Sequence, residues 1–487
     1  MKHLMVLFSV LCGISAQEGL AQKAGDGIFG GMQVHTINLR FPRTDYWDSL
    51  LFYYNRGDEQ CILAHAVIDG VAIDSIGVRF KGNSSFNHPN NKKSFRLSFD
   101  EFRDDGRWDA LKGVHLNNMW GDPSFMREKL YLDFCSAAGI AAPRANYARL
   151  SINDTLFAFY SLVEHVDKTF LDTRFSNKAG NLFKAVDGIG AGDTLISDFA
   201  WLGTDTARYL PRYELKTDGS PTAWPQLIGF IDTLAHSSDQ AATLQRDVDL
   251  PALEKAIAAD ILFANLDSYI NSGRNFYAYF HSKTGKLSWI IWDAGLSFGA
   301  YGGGVSTPEN LNVTYLINAA NRPLVGTVFS VPALANEYLE TLCALHSSSF
   351  TTARMFPHID SVAAFIRPHI AADQRKMYTN QQFETNISND VTIGGSRKPG
   401  LKSFLTARAA NVQAQLTALG ISCVTDAERA DAPVAMQVAL AQNYPNPCAR
   451  RTTISYTLPA SGLATLTVYD ALGRAAATLV DLSLIHI

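Results

Sequence analysis

The chain has 487 residues, of which 47% are hydrophobic and 18% are charged, as in a soluble globular protein with room for a large core. Its formal net charge of −4 provides no general attraction for nucleic acid, which excludes a protein that binds nucleic acid through a basic surface. After the N-terminal segment, no stretch is long and apolar enough to predict a transmembrane segment.

Residues 1–21 predict a secretory signal peptide. Lys2 precedes an apolar run from Leu4 to Ile14, and the small residues Ala16 and Ala21 are candidate cleavage positions. A buried N-terminal helix is the alternative. Of the six cysteines, all but Cys12 follow this segment, at spacings that match no zinc motif. Export permits disulfides, but the spacing identifies no pairs, and we expect buried thiols.

Two stretches of alternating polarity predict neighbouring strands joined by the polar turn "GNSSFNHPNN". In the first strand Ile76, Val78 and Phe80 alternate with Gly77, Arg79 and Lys81, and in the second Phe95, Leu97 and Phe99 alternate with Ser94, Arg96 and Ser98. Lys93 falls on the apolar face of the second strand, and Lys92 falls on the other face. Lys93 either extends to water at the strand end or meets a phosphate in a cleft beneath the strand.

The segment "GDPSFMREKLYLDFCSAAGI" predicts a helix, with Asp122 as its cap and Gly139 at its end. Its apolar stripe consists of Met126, Leu130 and Phe134. Glu128 lies off this stripe, so its carboxylate is either in water or paired with a strand lysine. Two further strands, "ANYARLSIN" and "LFAFYSLVEHV", are predicted on either side of the turn "NDT".

A second group of polar residues follows a helix predicted from Leu253 to Leu266. This helix leads into a polar loop that begins at Asp267 and ends at Asn275, and a hairpin, "NFYAYF" then "LSWIIWD", comes next. Because a hairpin brings together the residues that flank its two strands, Asn275 and Asp293 should be neighbours. Two carboxylates and one carboxamide at one sheet end suit a hard divalent cation, and phosphoryl transfer uses this set of groups.

The C-terminal part of the sequence changes in character several times. Helical patterns between Asn336 and Ala418 predict a helical region. Residues 425–436, rich in Ala, Asp and Pro, predict a linker. Short β-branched runs within residues 437–481 predict a small β-sandwich. Residues 482–487 resemble translated adapter DNA, and we interpret them as a non-native tail.

Several motifs in order resemble the CotH family of atypical secreted kinases. They are "VRFKGNSSF", "KKSFRLSF", "DPSFMREKLYLDF", "AAPRANYARLSIND", "LVEHVDKTFL", "NLFKA", "LDSYINSGRNFYAYF" and "WIIWDAGLSFG". The resemblance runs from about Val78 to Gly299. It implies an α+β, divergent protein-kinase-like, two-lobed fold for residues 26–424. It also implies an ATP-dependent protein serine kinase that uses Mg²⁺ or Mn²⁺ and phosphorylates serine hydroxyls of exported or cell-surface protein.

The same resemblance implies roles for individual residues. The nucleotide would be bound by Lys93, Glu128, Arg79 and Lys81, the catalytic residue would be Asp267, and the metal ligands would be Asn275 and Asp293. In this scheme Lys93 contacts the α- and β-phosphates, and Glu128 holds the lysine in place. Glu164 is the second choice for that partner.

Residues 437–481 resemble the C-terminal sorting domain of the type IX secretion system, through "QNYPNP", "TTISYTLP" and "ATLTVYDALGR". Cys448 stands where that family usually has Phe. The resemblance implies an all-β immunoglobulin-like sandwich fragment whose further strands lie beyond this chain. It also implies that the type IX secretion machinery is a partner, and that the protein reaches the medium or the cell surface through the periplasm of a Gram-negative bacterium.

Two positions depart from the CotH pattern. The family often reads WDxD, but the last position here is Gly295, and Arg274 replaces the first of two usual asparagines. A catalytically inactive kinase-fold module that serves as a surface binding or structural protein is therefore an alternative function. A different metal-dependent enzyme on the same scaffold, such as a phosphohydrolase, is a third.

Overall fold

The computed structural model describes residues 23–186, 196–217, 220–318 and 322–423, together with short strands between residues 439 and 484. The chain divides into two units, one comprising residues 23–423 and the other comprising residues 1–22 and 424–487. The predicted signal peptide and the predicted linker lie outside the described residues. Within the described part of the chain, no helix is both long and apolar enough to cross a membrane.

Seven strands form a closed barrel with the order β1-β2-β3-β4-β5-β7-β6. They are β1 (Val34–Arg40), β2 (Ile62–Ile68), β3 (Val71–Lys81), β4 (Ser94–Ser98), β5 (Gly113–Asn117), β6 (Ala145–Ile152) and β7 (Thr155–Glu164). Apolar side chains such as Phe80, Phe95 and Leu97 pack together in one buried cluster. The four strands predicted from alternation are confirmed as β3, β4, β6 and β7.

Helix α3 (Arg127–Ala137) contacts strand β6 of the barrel. Before it, Asp122 Oδ2 accepts a hydrogen bond from the Arg127 amide at 2.9 Å. After it, Gly139 adopts a φ of +67°, which suits a glycine at a helix end. The predicted helix is confirmed, but it begins at Arg127 with Met126 at the N-cap, so the prediction of Asp122 as the cap is wrong. Glu128 is buried in its first turn rather than in water.

A second, four-stranded sheet has the order β11-β10-β8-β9. Its strands are β8 (Asn181–Ala185), β9 (Tyr213–Leu215), β10 (Phe276–Phe280) and β11 (Leu287–Ile291). Strands β10 and β11 are antiparallel, with Phe276 opposite Ile291. The Trp292 amide also donates to the Asn275 carbonyl at 3.2 Å. This confirms the hairpin prediction, and the residue before β10 lies beside the segment that follows β11.

The remaining elements of residues 23–423 are mostly helical. They are α1 (Asp26–Phe29), α2 (Tyr46–Asn55), α4 (Lys168–Phe175), α5 (Ala223–His236), α6 (Gln240–Asp247), α7 (Leu250–Leu262), α8 (Pro323–Ser330), α9 (Pro332–Ser348), α10 (Thr352–Ala372), α11 (Asn380–Ser388) and α12 (Leu401–Ala418), with a short hairpin of β12 (Val391–Ile393) and β13 (Ser396–Lys398). The predicted helical region and the α+β class are confirmed. Helix α7 ends at Leu262 rather than at Leu266, and Ala264 has a φ of +42° that a helix cannot accommodate.

The cysteines differ from our expectation. Cys343 and Cys423 form a disulfide that spans 80 residues, so the prediction of buried thiols is wrong for this pair. Cys61 and Cys135 are buried free thiols, as expected. The disulfide connects α9 to the segment that follows α12.

The C-terminal unit contains two antiparallel strand pairs among its described residues. Strand β14 (Ala439–Leu440) pairs with β15 (Tyr456–Thr457), and β16 (Gly462–Tyr469) pairs with β17 (Ala475–Leu484). Strand β17 therefore extends into the segment that we interpret as a tail.

Candidate functional site

Three elements bring charged side chains towards one another. Lys81 ends β3, Glu128 lies in the first turn of α3, and Asp293 follows β11. The carboxamide of Asn117, at the end of β5, connects the first two: Lys81 Nζ donates to Asn117 Oδ1 at 2.7 Å, and Asn117 Nδ2 donates to Glu128 Oε1 at 2.8 Å. The other oxygen of Glu128 accepts from Ser161 Oγ at 2.8 Å. Glu128 is thus held by hydrogen bonds on both oxygens.

The pKa values show that Asp293 acts on the same groups. Burial, and then the negative charge of Asp293, raise the pKa of Glu128 to about 7, while Ser161, Lys81 and Asn117 oppose this change. Burial lowers the pKa of Lys81, and the negative charges of Asp293 and Glu128 oppose that effect. Lys81 is therefore within electrostatic reach of both carboxylates.

Lys81 reaches this site because of the closed barrel. In β3 the side chains alternate, so Phe80 points into the apolar interior and Lys81 points outward, toward α3 and β11. Its ammonium lies 5.5 Å from the ring centroid of Trp292, the residue before Asp293. The outer face of the barrel at this point contacts Asn117 and Trp292, and Lys81 is only partly exposed.

The structure does not bring Lys93 to Glu128. Its ammonium donates to the carbonyl oxygens of Phe86 at 2.6 Å and His88 at 2.5 Å, and it lies 4.8 Å from the centroid of the Phe86 ring. Lys93 therefore fixes the turn between β3 and β4. The physical reason is that the apolar face shared by Lys93 and Phe95 faces the barrel interior, which aromatic side chains fill. Lys92 is also buried, in an ion pair with Asp373 at 2.9 Å.

Two other predicted residues have partners of their own. Arg79 Nη2 pairs with Glu59 at 2.8 Å, and the Glu59 carboxylate is 4.0 Å from Lys216. Glu164, the second choice as a lysine partner, instead pairs with Arg144 and Arg174, each at 2.7 Å. Arg79 stands two residues before Lys81 on the same face of β3, so it lies near Lys81 without joining the hydrogen bonds among Lys81, Asn117 and Glu128.

The loop between α7 and β10 holds Asp267 and Asn275 together. Asn275 Nδ2 donates to the backbone carbonyl of Asp267 at 2.7 Å and to its Oδ2 at 3.2 Å. Ser272 Oγ donates to Asp267 Oδ1 at 3.1 Å, and Arg274 Nε lies 3.7 Å from the same oxygen. These contacts fix the direction of the Asp267 carboxylate.

Both predicted metal ligands have a left-handed backbone conformation. Asn275 has a φ of +60° and Asp293 a φ of +53°, a left-handed region that costs energy for residues other than glycine. Asn and Asp tolerate this region better than most residues, and such strain concentrates at functional sites. The backbone bond from Trp292 to Asn275 places both strained residues at one end of the hairpin.

The donor chemistry here fits a magnesium or manganese ion. Asp293 offers an exposed carboxylate. The hydrogen bonds of Asn275 to Asp267 use its Nδ2 and not its Oδ1. Within the described ranges, no group of three or more His, Cys, Asp or Glu residues could hold a metal. Mg²⁺ needs no such group, because it is commonly held by one or two carboxylates with water and substrate phosphates. Asp293 and Asn275 would hold the ion.

Sequence reasoning missed the connecting residue. Asn117 lies in β5, whose five residues show no clean alternation because four of them are buried. Ser161 lies within a buried run of β7 that gives no sign of a polar contact. A hydrophilic residue ending a buried strand, as Asn117 does, is the signal that could have identified it.

A family model described as CotH kinase protein matches residues 78–408. Inner spore coat protein H of Bacillus subtilis is 26% identical over 353 residues, which cover 72% of this chain and 90% of that protein. Invasin CotH3 of Rhizopus delemar is 24% identical over 328 residues, or 60% of this chain and 52% of the invasin. The chain thus spans about half the length of that invasin.

Two solved structures are similar at a lower level. The Helicobacter pylori proinflammatory kinase CtkA has a TM-score of 0.26 and 10% identity, with 63% of this chain and 92% of that chain covered. The HipA, HipB and operator DNA complex of Shewanella oneidensis has a TM-score of 0.27 and 11% identity, with 65% and 60% covered. The family match spans more than half of the sequence, and the chain belongs to the CotH kinase protein family.

Proposed function

We propose that this protein is a secreted kinase that transfers the γ-phosphate of ATP to serine hydroxyls of exported or cell-surface protein, with Mg²⁺ or Mn²⁺. The observation that carries the proposal is the Lys81–Asn117–Glu128 connection beside Asp293. Protein kinases require a strand lysine tied to a helix glutamate next to a metal-binding aspartate. Membership of the CotH kinase protein family supports the same activity.

In this mechanism each residue has one task. Lys81 binds the α- and β-phosphates, and Glu128 and Asn117 hold the lysine in position. Asp293 and Asn275 would hold the divalent ion, which would neutralise charge on the phosphates. This assignment gives Lys81 the role that the sequence predicts for Lys93.

Asp267 acts on the acceptor. Its carboxylate, oriented by Ser272 and Asn275, accepts the proton of the serine hydroxyl. The serine oxygen then forms a bond to the γ-phosphorus as the bond to the β,γ-bridging oxygen breaks, and ADP leaves with that oxygen.

An inactive binding module remains the second candidate because of Gly295. A Cβ built at Gly295 would lie 3.9 Å from Asp293 Oδ1, so an aspartate at this position would stand beside Asp293. An enzyme that needs both carboxylates for transfer would be inactive here. In this second candidate function, the protein binds the nucleotide but does not catalyse phosphoryl transfer.

We also propose that the protein acts outside the cell. The names of the two relatives, a spore coat protein and an invasin, support a surface or extracellular location. The disulfide is a further support, since disulfides persist in oxidising compartments. In this proposal the protein passes through the periplasm and is then exported by the type IX machinery.

The test uses purified protein, ATP labelled at the γ-phosphate, Mg²⁺ or Mn²⁺, and a serine-rich acceptor protein. The kinase proposal expects label on serine in the acceptor or in the protein itself, and no label with Asp267→Asn. If wild type binds ATP but transfers none, and Gly295→Asp gains transfer, the second candidate is correct.

A further inference from the structure

Arg127 is a fully buried arginine that stands directly before Glu128 in the first turn of α3. A buried charge is costly unless it has partners, and this guanidinium has them on two sides. Its Nη1 donates to Asp122 Oδ1 and, at 3.1 Å, to Ser124 Oγ. Its Nη2 donates to the Pro399 carbonyl at 2.5 Å. The first turn of α3 is therefore tied to the segment between β13 and α12.

The residue before Pro399 contacts a second part of the proposed site. Lys398 Nζ donates to the Ala300 carbonyl at 2.7 Å. Ala300 lies in the segment that follows Asp293, between β11 and the helices of the C-terminal part. One short piece of chain thus contacts both the helix that carries Glu128 and the segment that follows Asp293.

This piece of chain is itself held by a fully buried asparagine. Asn386 of α11 donates from its Nδ2 to the Lys398 carbonyl at 3.0 Å and to the Pro399 carbonyl at 3.2 Å. The next residue, Gly400, donates from its amide to Asp390 Oδ1 at 2.9 Å. The carbonyl that accepts from Arg127 therefore has a fixed position and direction.

Further contacts hold the rest of α3 against the helices that follow the two sheets. Tyr131 Oη donates to Asp260 Oδ1 of α7 at 2.6 Å, and both residues are buried. His358 Nε2 of α10 lies 2.9 Å from Asp133 Oδ2. Moving α3 away from the barrel would break these contacts and leave buried polar groups without partners, which is costly.

In protein kinases the strand lysine and the helix glutamate must both be in place for transfer, and phosphorylation commonly controls the position of that helix. We infer that Arg127 is a positioning residue that holds Glu128, through the Pro399 carbonyl, in the arrangement needed for transfer. Lys81 is held with it, because Asn117 ties the lysine to Glu128. Unmodified groups of this chain make every contact, so the arrangement needs no phosphorylation. This inference rests on the proposed kinase function.

The first experiment measures amide hydrogen exchange and needs no phosphoryl transfer. Arg127→Lys keeps a positive charge beside Asp122 and lacks the second nitrogen that reaches Pro399, and Asn386→Ala releases the same carbonyl from its other side. Exchange in the first turn of α3 should rise about fivefold or more in both variants, while β2 exchanges as in wild type. Unchanged exchange in both variants would overturn the inference and leave the kinase proposal intact.

The second experiment separates positioning from a purely structural role. The rate of transfer per folded molecule at saturating ATP is compared among wild type, Arg127→Lys, Asn117→Ala and the double variant. Arg127→Lys should lower the rate about fivefold to tenfold in wild type, but less than about twofold in the Asn117→Ala background, where the bridge to Lys81 is absent. Equal losses in the two backgrounds would overturn the inference.

The same assay carries a control variant and a test of phosphorylation. Arg174→Lys changes an arginine of α4 whose Nη2 lies 2.7 Å from Glu164 of β7, and its rate should equal that of wild type. Wild type treated with a phosphatase, which is then removed, should transfer phosphate at its full rate without a lag. A rate that rises only after autophosphorylation would overturn the inference. Wild type that transfers no phosphate would overturn the proposed function and this inference with it.

Discussion

Lys81 and Glu128 share one carboxamide: Asn117 accepts a hydrogen bond from the lysine at 2.7 Å and donates one to the glutamate at 2.8 Å. A direct ion pair between β3 and α3 is thus replaced by a bridge from β5. Because Asn117 has one acceptor and one donor group, it can satisfy both partners only in this orientation. The bridge fixes the position of the lysine relative to the helix, and the carboxylate of Glu128 remains within electrostatic reach of Asp293.

The first prediction separates the two candidate lysines. Lys81→Met should lower the rate of phosphoryl transfer roughly tenfold to hundredfold, because a charged contact with the phosphates is lost. Lys93→Met removes hydrogen bonds to Phe86 and His88 instead, so it should lower the free energy of unfolding by about 1–3 kcal/mol and change the rate per folded molecule only slightly. Steady-state kinetics and urea unfolding of both variants provide the measurement. The opposite pattern would assign the phosphate role to Lys93.

The choice of lysine shows where alternation alone is insufficient. Alternation correctly separates the faces of β3 and β4, and Phe80, Phe95 and Leu97 do lie together in the core. It does not reveal that the strands close into a barrel, which makes the apolar face a filled interior and directs Lys81 outward to Asn117. That information comes from pairings between distant strands, such as β1 with β6, which no local pattern contains.

The second prediction concerns the two aspartates. Asp293→Ala should abolish both phosphoryl transfer and the metal dependence of ATP binding, since Asp293 holds the ion. Asp267→Asn should abolish transfer with ATP binding within a few-fold of wild type, because Asp267 acts on the acceptor. Transfer assays and binding titrations are run on the same preparations. Transfer by Asp293→Ala at the wild-type rate would show that the metal site is elsewhere.

The third prediction is a pH dependence of stability. Glu128 has a folded-state pKa of about 7 against an ordinary value of 4.5, so between these pH values the folded state binds more protons than the unfolded state. The contribution of Glu128 is therefore most favourable below about pH 4.5, decreases as pH rises toward 7, and is constant above that. The decrease amounts to about 3 kcal/mol, from the size of the shift.

Glu128→Gln supplies the control, because a glutamine cannot titrate. Unfolding by urea is followed from pH 5 to pH 8 in metal-free buffer for wild type and the variant. As pH rises from 5 to about 7, the free energy of unfolding of wild type should fall relative to that of the variant. Parallel curves for the two proteins would contradict the burial of a Glu128 carboxyl with a raised pKa.

The fourth prediction concerns the disulfide between Cys343 and Cys423. Its loop spans 80 residues, and closing a loop of this length stabilises a protein by about 4 kcal/mol. Reduction of the disulfide should therefore lower the melting temperature, and the single variants Cys343→Ser and Cys423→Ser should each lower it by the same amount. The melting temperature of the double variant should be no lower than that of either single variant. The double variant in reductant is the control. Additive losses would show that the two cysteines are not paired.

The hairpin was predictable and the disulfide was not, for a physical reason. The strands β10 and β11 are joined by a short turn, so local sequence determines that Asn275 and Asp293 are neighbours. Cys343 and Cys423 meet only because α9 and α12 pack together, a tertiary contact between helices far apart in sequence. The same holds for Asn117, whose two partners lie in β3 and α3.

The central claim is that Lys81 and Asp293 face one metal-bound nucleotide. Equilibrium dialysis of labelled ATP against wild type, Lys81→Met and Asp293→Ala at a fixed concentration of Mn²⁺ tests it most directly. The account predicts saturable binding of one ATP per wild-type chain that a chelator abolishes, and binding weakened about tenfold or more in each variant. Folded wild type that binds no ATP in the presence of Mn²⁺, or variants that both bind it as tightly as wild type, would contradict the claim.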